Sequence, residues 1–146
     1  MTDSNRPPST RASGPLLVVE LQRATHAAGV SLEARLSDLG VSQGEAHVLA
    51  LLSDGKEHAV GELQRGLGHR PSTLSGILDR LEARALIRRA LNSADRRSFL
   101  ISLTRSGRAV ARVVVEALRR VERDALAGVS ARDRAGFVAV ARAFEG

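Results

Sequence analysis

The feature that most restricts what this chain can fold into is a double change of hydrophobic period between residues 71 and 107. In PSTLSGILDRLEARAL the apolar residues Leu74, Ile77, Leu78 and Leu81 recur at spacings of three and four, which predicts a helix with one buried face. The period then shortens. LIRRAL and SFLISL are runs rich in branched and aromatic residues, separated by NSADRR, whose Asn, Ser and Asp suit a turn. They predict a β-hairpin. Thr104 stands where the next helix needs an N-cap, and Val110, Val113, Val114, Ala117, Leu118, Val121 and Leu126 restore the helical period over about six turns.

The flanking sequence is helical. Leu17, Leu21, Ala24, Ala28, Leu32, Leu36 and Leu39 predict one long amphipathic helix from Pro15, with Gly29 as a weak point or bend and Gly40 as its end. In VSQGEAHVLALL, Ser42 and Glu45 form a capping box ahead of a stripe made by Ala46, Leu49, Ala50 and Leu52. SDGKEH breaks this helix, and AVGELQRGLG supplies a short one ending at Gly68. The fourth helix starts at Pro71 or Ser72. Two short helices joined by a small glycine-containing turn read as helix-turn-helix. Ser130 caps a last helix with Asp133 at its third position and Phe137, Val140, Ala141 and Phe144 as its stripe. Residues 1–14 combine Pro, Ser, Thr and Arg without apolar period and are expected to form a disordered arm.

A chain of 146 residues can bury one sizeable core, so one domain over 15–146 is expected. No apolar run approaches the roughly 20 residues that span a bilayer, and MTDSNRPPSTRASGP is not a signal-peptide core, so a cytoplasmic protein with no membrane partner is expected. The lack of cysteine removes disulfides and thiolate nucleophiles together. Charge is distributed unevenly. Residues 65 to 108 hold ten arginines against Asp79, Glu82 and Asp95, a net of +7, while all other residues sum to −1. A basic block inside a folded segment suggests a surface for a polyanion, although a solvated face would read the same way.

Catalytic motifs are lacking. No Gly-x-Ser-x-Gly elbow, glycine-rich phosphate loop or His-Glu-x-x-His occurs, and no enzyme and no cofactor are expected. His26, His47, His58 and His69, with Glu20 and Glu45, are raw material for zinc, but no pair has the i, i+4 spacing on one helix, so no metal site is assigned. A zinc-responsive regulator and a sequence-indifferent architectural DNA-binding protein remain as alternatives.

The segments LGVSQGEAHVLALL, ILDRLEARALIRR and DRRSFLISLTRSG resemble, in order, the signature segments of the MarR family of winged helix-turn-helix transcriptional regulators. The resemblance covers roughly residues 15 to 145, and the stretch from Asp95 to Gly107, Asp-x-Arg followed by Leu-Thr-x-x-Gly, is its most specific part. It implies a mainly α fold with a small β-hairpin wing: a winged helix-turn-helix module over 42–103, with dimerisation helices at 15–39 and 104–146. The long helices independently carry more apolar stripe than such a module can cover. The implied function is transcriptional regulation, as a repressor, by a homodimer on a pseudo-palindromic double-stranded DNA operator, at the bacterial nucleoid. A small-molecule effector is a further implied partner, although three Phe and no Trp or Tyr leave few stacking options.

Under that resemblance Arg97 matches the wing arginine and is the candidate for the minor groove, leaving Arg96 for phosphate. Adjacent strand residues point to opposite faces, so the two divide the labour. Asp95 is the candidate orienting carboxylate for a wing arginine or for Arg80. Ser72, Thr73 and Ser75 stand at the start of the recognition helix, where hydroxyls meet phosphates or bases, or merely cap. Arg70 precedes them, and Arg80 and Arg88 complete the set; Arg88 and Arg89 alternate along a strand, so only one faces DNA. Two positions depart from the family pattern. Gly76 replaces a frequent arginine, which shifts expected specificity toward the wing, Arg70 and DNA shape. Ala85 replaces a glycine at a helix stop that calls for a left-handed backbone.

Overall fold

The computed structural model describes residues 14–68 and 70–145. The expected arm, up to residue 13, and His69 lie outside the described residues. Helix α1 (Leu17–Ser37) leads through Gly40, at φ +63°, into α2 (Gln43–Leu51). The capping box is formed: the Glu45 amide donates to Ser42 Oγ at 3.2 Å, and the Ser42 amide donates to Glu45 Oε2 at 2.8 Å. A 3-10 turn, Leu52–Asp54, then gives way to strand β1 (His58–Ala59), helix α3 (Val60–Leu67) and helix α4 (Pro71–Ala83). Strands β2 (Ile87–Leu91) and β3 (Phe99–Leu103) form the hairpin, and helices α5 (Arg105–Ala125) and α6 (Ala131–Glu145) complete the chain.

The sheet has three antiparallel strands in the order β1-β3-β2, one more than the hairpin expected. Its extra strand is two residues long, His58 opposite Ile101 and Ala59 opposite Leu100, too short to show any period within SDGKEHA. In the hairpin Ile87 lies opposite Leu103 and Leu91 opposite Phe99.

The core gathers around α2, α4 and the sheet. Leu36, Val41, Leu49, Leu63, Leu78, Leu81, Ile101 and Val114 are all buried there. In α2 the buried face includes Val48, while Ala50 is only half-buried, a small change from the expected stripe. The expected stripes of α1 and α6 exist but are mostly open in the single protomer. Only Leu32 and Leu36 of α1 are buried, α6 buries nothing, and Leu17 and Phe137 remain 58% and 56% exposed.

Where α4 stops, the hairpin and α5 are tied together. Ala85 has φ +54°, the left-handed conformation anticipated at this position, and the Leu86 amide closes back on the Leu81 carbonyl at 2.9 Å. The Ala85 carbonyl then accepts from Thr104 Oγ1 at 2.7 Å and Ser106 Oγ at 3.0 Å, and the Leu86 carbonyl accepts the Thr104 amide at 3.0 Å. Thr104 Oγ1 also caps α5 by accepting the Gly107 amide at 2.9 Å. Gly107 itself leaves no room for a side chain, since a Cβ there would lie 1.8 Å from the Leu86 carbonyl oxygen. The last glycine of Leu-Thr-x-x-Gly is therefore required by the approach of two backbones.

Candidate nucleic-acid interface

Helix α4 begins at Pro71, whose fixed φ suits the first helical position. Arg70 occupies the N-cap position, and no side chain caps the helix, so Ser72 does not play the capping role. Ser72, Thr73 and Ser75 are exposed, as is Arg70, while Leu74, Ile77, Leu78 and Leu81 hold the opposite side of α4 in the core. The first turn thus presents three hydroxyls and free amide groups to solvent, which is the chemistry that receives phosphate oxygens.

Arg80 is held differently from expectation. Its Nε donates to Glu45 Oε1 at 3.2 Å, and Arg84 Nη1 lies 3.8 Å from Glu45 Oε2 while donating to the Gly40 carbonyl at 2.9 Å. Glu45 is only 5% exposed. A single buried carboxylate therefore caps α2 and fastens α4 to the junction of α1 and α2. Asp95 does not reach Arg80; the orienting role proposed for it toward that residue is corrected to Glu45. The sequence hides this contact because residues 45 and 80 share no helix face or local spacing.

Asp95 works on the backbone of the wing instead. Its Oδ1 accepts the Arg97 amide at 3.0 Å, and its carbonyl accepts the Ser98 amide at 3.0 Å. Asn92 closes the other side of the loop: Oδ1 accepts the Ala94 amide at 3.0 Å and Nδ2 donates to Ser98 Oγ at 3.2 Å. The tip between β2 and β3 is thus an Asx-stitched turn that carries Arg96 and Arg97, both exposed and, among the described residues, without a carboxylate partner.

Arg88 and Arg89 separate as the strand period requires. Arg88 Nε donates to Ser102 Oγ at 3.0 Å across the ladder. Arg89 turns to the other face and bonds Asp79 of α4 through Nη2. Its Nε stands 3.1 Å from Glu82 Oε2, a charge contact whose direction does not make a hydrogen bond. Arg89 therefore braces the base of the wing against α4, and its charge is spent internally. Of the basic block, Arg65, Arg70, Arg88, Arg96, Arg97, Arg105 and Arg108 have no ion-pair partner among the described residues, so its free charge lies on seven of the ten arginines.

Among the described residues no group of three or more His, Asp or Glu side chains is placed to hold a metal ion. His58 Nε2 is 3.0 Å from both Asp54 oxygens, and its Nδ1 is 3.8 Å from Glu62 Oε2. The hydrogen bond to His58, helped by the Lys56 amide, holds the Asp54 carboxyl below its ordinary range. This pair lies beside β1 and joins the 3-10 turn to α3. A cavity of about 520 Å³ opens between the end of α1 and the middle of α5, lined by Arg35, Asp38, Leu39, Arg112, Val113, Glu116, Ala117 and Arg120.

A helix-turn-helix followed by a strand hairpin whose tip carries unpaired arginines defines a winged helix-turn-helix module. Residues 41–99 match the model of the MarR family, and a crystal structure described as a MarR family transcriptional regulator from Silicibacter pomeroyi superposes with a TM-score of 0.76 at 27% identity, covering 88% of this chain and 86% of that one. On these matches the segment 41–99 is similar to the MarR family, and the fold is that of its solved members. The HTH-type transcriptional repressor NicR of Pseudomonas putida is 27% identical over 94 residues, 64% of this chain and 60% of NicR, so the match spans about three fifths of that relative's length. BpsR of Bordetella bronchiseptica, whose DNA binding is regulated by 6-hydroxynicotinic acid, shares the fold with a TM-score of 0.76 at 23% identity, over 89% of this chain and 98% of that one.

Proposed function

We propose that this protein is a double-stranded DNA-binding transcriptional repressor that works as a homodimer on a pseudo-palindromic operator. The observation that carries this reading is the pair of unpartnered arginines, Arg96 and Arg97, on a wing braced to α4, whose uncapped first turn displays Ser72, Thr73 and Ser75. In this reading α4 enters the major groove and Arg97 the minor groove, with Arg96, Arg70 and Arg88 on phosphate. Arg80 and Asp95 serve from behind, the first by fixing α4 through Glu45 and the second by shaping the turn under Arg97. The open apolar faces of α1 and α6 supply the surface a second copy covers, since contiguous apolar area of this kind is seldom left to water.

The cavity between α1 and α5 supports an effector. Its wall combines Leu39, Val113 and Ala117 with Arg112 and Arg120, beside the carboxylates Asp38 and Glu116 and an Arg35 already bonded to Asp124 at 2.9 Å, a mixed lining that suits a small aromatic ligand with one anionic group, and 6-hydroxynicotinic acid belongs to that chemical class. Among the described residues no helix is long and apolar enough to cross a membrane.

Titration of the full chain against duplex fragments of its own upstream region, by fluorescence anisotropy at several salt concentrations, tests the reading. Arg97→Ala is expected to lose about 1 to 3 kcal/mol on the specific fragment, while Arg96→Ala weakens all sequences evenly and lowers the salt slope. Unchanged specific affinity in Arg97→Ala overturns the wing assignment. A specific-to-bulk affinity ratio near one makes the protein an architectural binder instead.

A further inference from the structure

The hairpin ends on a rung that its neighbours do not explain. Along the face of the sheet turned toward α4, cross-strand pairs follow one another outward: Ile87 with Leu103, Arg89 with Ile101, then Leu91 with Phe99. The first pair is core, and in the second Ile101 is fully buried beneath Arg89, which is drawn toward Asp79 and Glu82. The third is open, with Leu91 67% and Phe99 42% exposed. Asn and Ser sit immediately beyond it, and Arg96 and Arg97 follow at the tip. A chain with only three Phe places one of them on this outer rung.

We infer that Leu91 and Phe99 form an apolar DNA contact, packing against the deoxyribose rings that wall the groove entered by the wing arginines. This deepens the proposed function and rests on it. Duplex DNA is the occupant because the charges nearest the pair, Arg96 and Arg97, are cationic and have no ion-pair partner among the described residues, and because a sugar-phosphate strand offers what the rung and tip offer in reverse: apolar C–H edges beside anionic oxygens. An acidic protein surface would match the charge but not require an apolar strip two residues from it. The contact reads no base. It adds affinity for every sequence, and because it displaces water rather than counterions, it leaves the salt dependence unchanged.

That last property separates it from the arginines. The double substitution Phe99→Ser with Leu91→Thr, in the full chain, is expected to weaken binding to both an upstream fragment and an unrelated duplex roughly tenfold at every salt concentration, with the slope of log K against log salt unaltered. Arg96→Ala, which removes a phosphate contact in the proposed reading, lowers that slope by about one. Phe99→Tyr, which keeps the apolar ring, is expected to bind as the unsubstituted chain does, which separates loss of the contact from loss of the hairpin. The inference is overturned if the double variant binds within twofold of the original, if its slope falls as an arginine variant's does, or if it changes sedimentation behaviour while DNA affinity stays the same, which would assign the rung to a protein partner. Failure of the original chain to bind any duplex would instead remove the proposed function itself.

Discussion

Gly107→Ala provides the most direct measure of how tightly the hairpin is joined to α5. A Cβ at this position would lie 1.8 Å from the Leu86 carbonyl oxygen and 2.8 Å from its carbon. Ordinary carbon-to-oxygen contacts begin at about 3.3 Å, so the two backbones must separate by roughly 1.5 Å. That carbonyl accepts the Thr104 amide at 3.0 Å, and a shift of this size takes the bond beyond hydrogen-bonding range. The 2.9 Å cap from the Gly107 amide to Thr104 Oγ1 is strained at the same time. One buried backbone bond left open costs about 1 to 3 kcal/mol and a lost cap about 1, so with displaced packing around Leu86 and Ala111 the expected loss is roughly 3 to 5 kcal/mol. Urea unfolding followed by far-ultraviolet circular dichroism suits a chain without Trp or Tyr, at one fixed protein concentration because the proposed dimerisation would contribute to stability. Gly76→Ala is the control: its nearest neighbour is Arg80 Nη1 at 3.5 Å, an ordinary contact, and it is expected to gain up to about 1 kcal/mol. A loss below about 1 kcal/mol in Gly107→Ala, with an unchanged urea slope, would refute the close-approach reasoning.

Ala85→Gly is expected to raise stability by about 1 kcal/mol in the same assay, because the left-handed backbone at φ +54° is costly for any residue with a Cβ. Glu45→Gln keeps an acceptor for the Ser42 amide and should cost about 1 kcal/mol, whereas Glu45→Ala removes cap and arginine anchor together and should cost about 2, a modest figure because Arg80 and Arg84 can return to water; equal losses would show that the cap contributes nothing. Asp54 is held below its ordinary value first by His58, so its contribution is complete above that ordinary value, about 3.9, and is lost as pH falls through the lower folded one. His58→Ala should therefore move the Asp54 carboxyl titration upward in carbon-13 spectra, and a fixed midpoint would assign the shift elsewhere. Phe137→Asp, on the open face of α6, should reduce the sedimenting mass toward that of one protomer if a second copy covers that face.

Local rules sufficed for much of the fold. The capping box at Ser42 and Glu45, the cap at Thr104, the α4 stripe and the change to strand period are short-range patterns, and each is found where it was expected. The left-handed stop at Ala85 was also legible, although only by comparison with a family pattern. What escaped was non-local. Strand β1 has two residues and exists because β3 lies beside it. Glu45 reaches Arg80 across 35 positions, and Arg89 reaches α4 from a neighbouring strand, so neither pairing leaves a spacing that a linear reading can detect. Asp95 lies in the wing turn, but its partner there is the Arg97 amide rather than the guanidinium of Arg80.

The stitching of the wing by Asn92 and Asp95 has a thermodynamic consequence for recognition. Ordering a loop on encounter subtracts from affinity, whereas here the backbone under Arg96 and Arg97 has surrendered its freedom when the chain folds. On the proposed DNA each guanidinium would therefore return more of its gross attraction as net grip than the same group on a slack loop, with the Asn92 and Asp95 side chains, which bond the turn's own amides, governing how much.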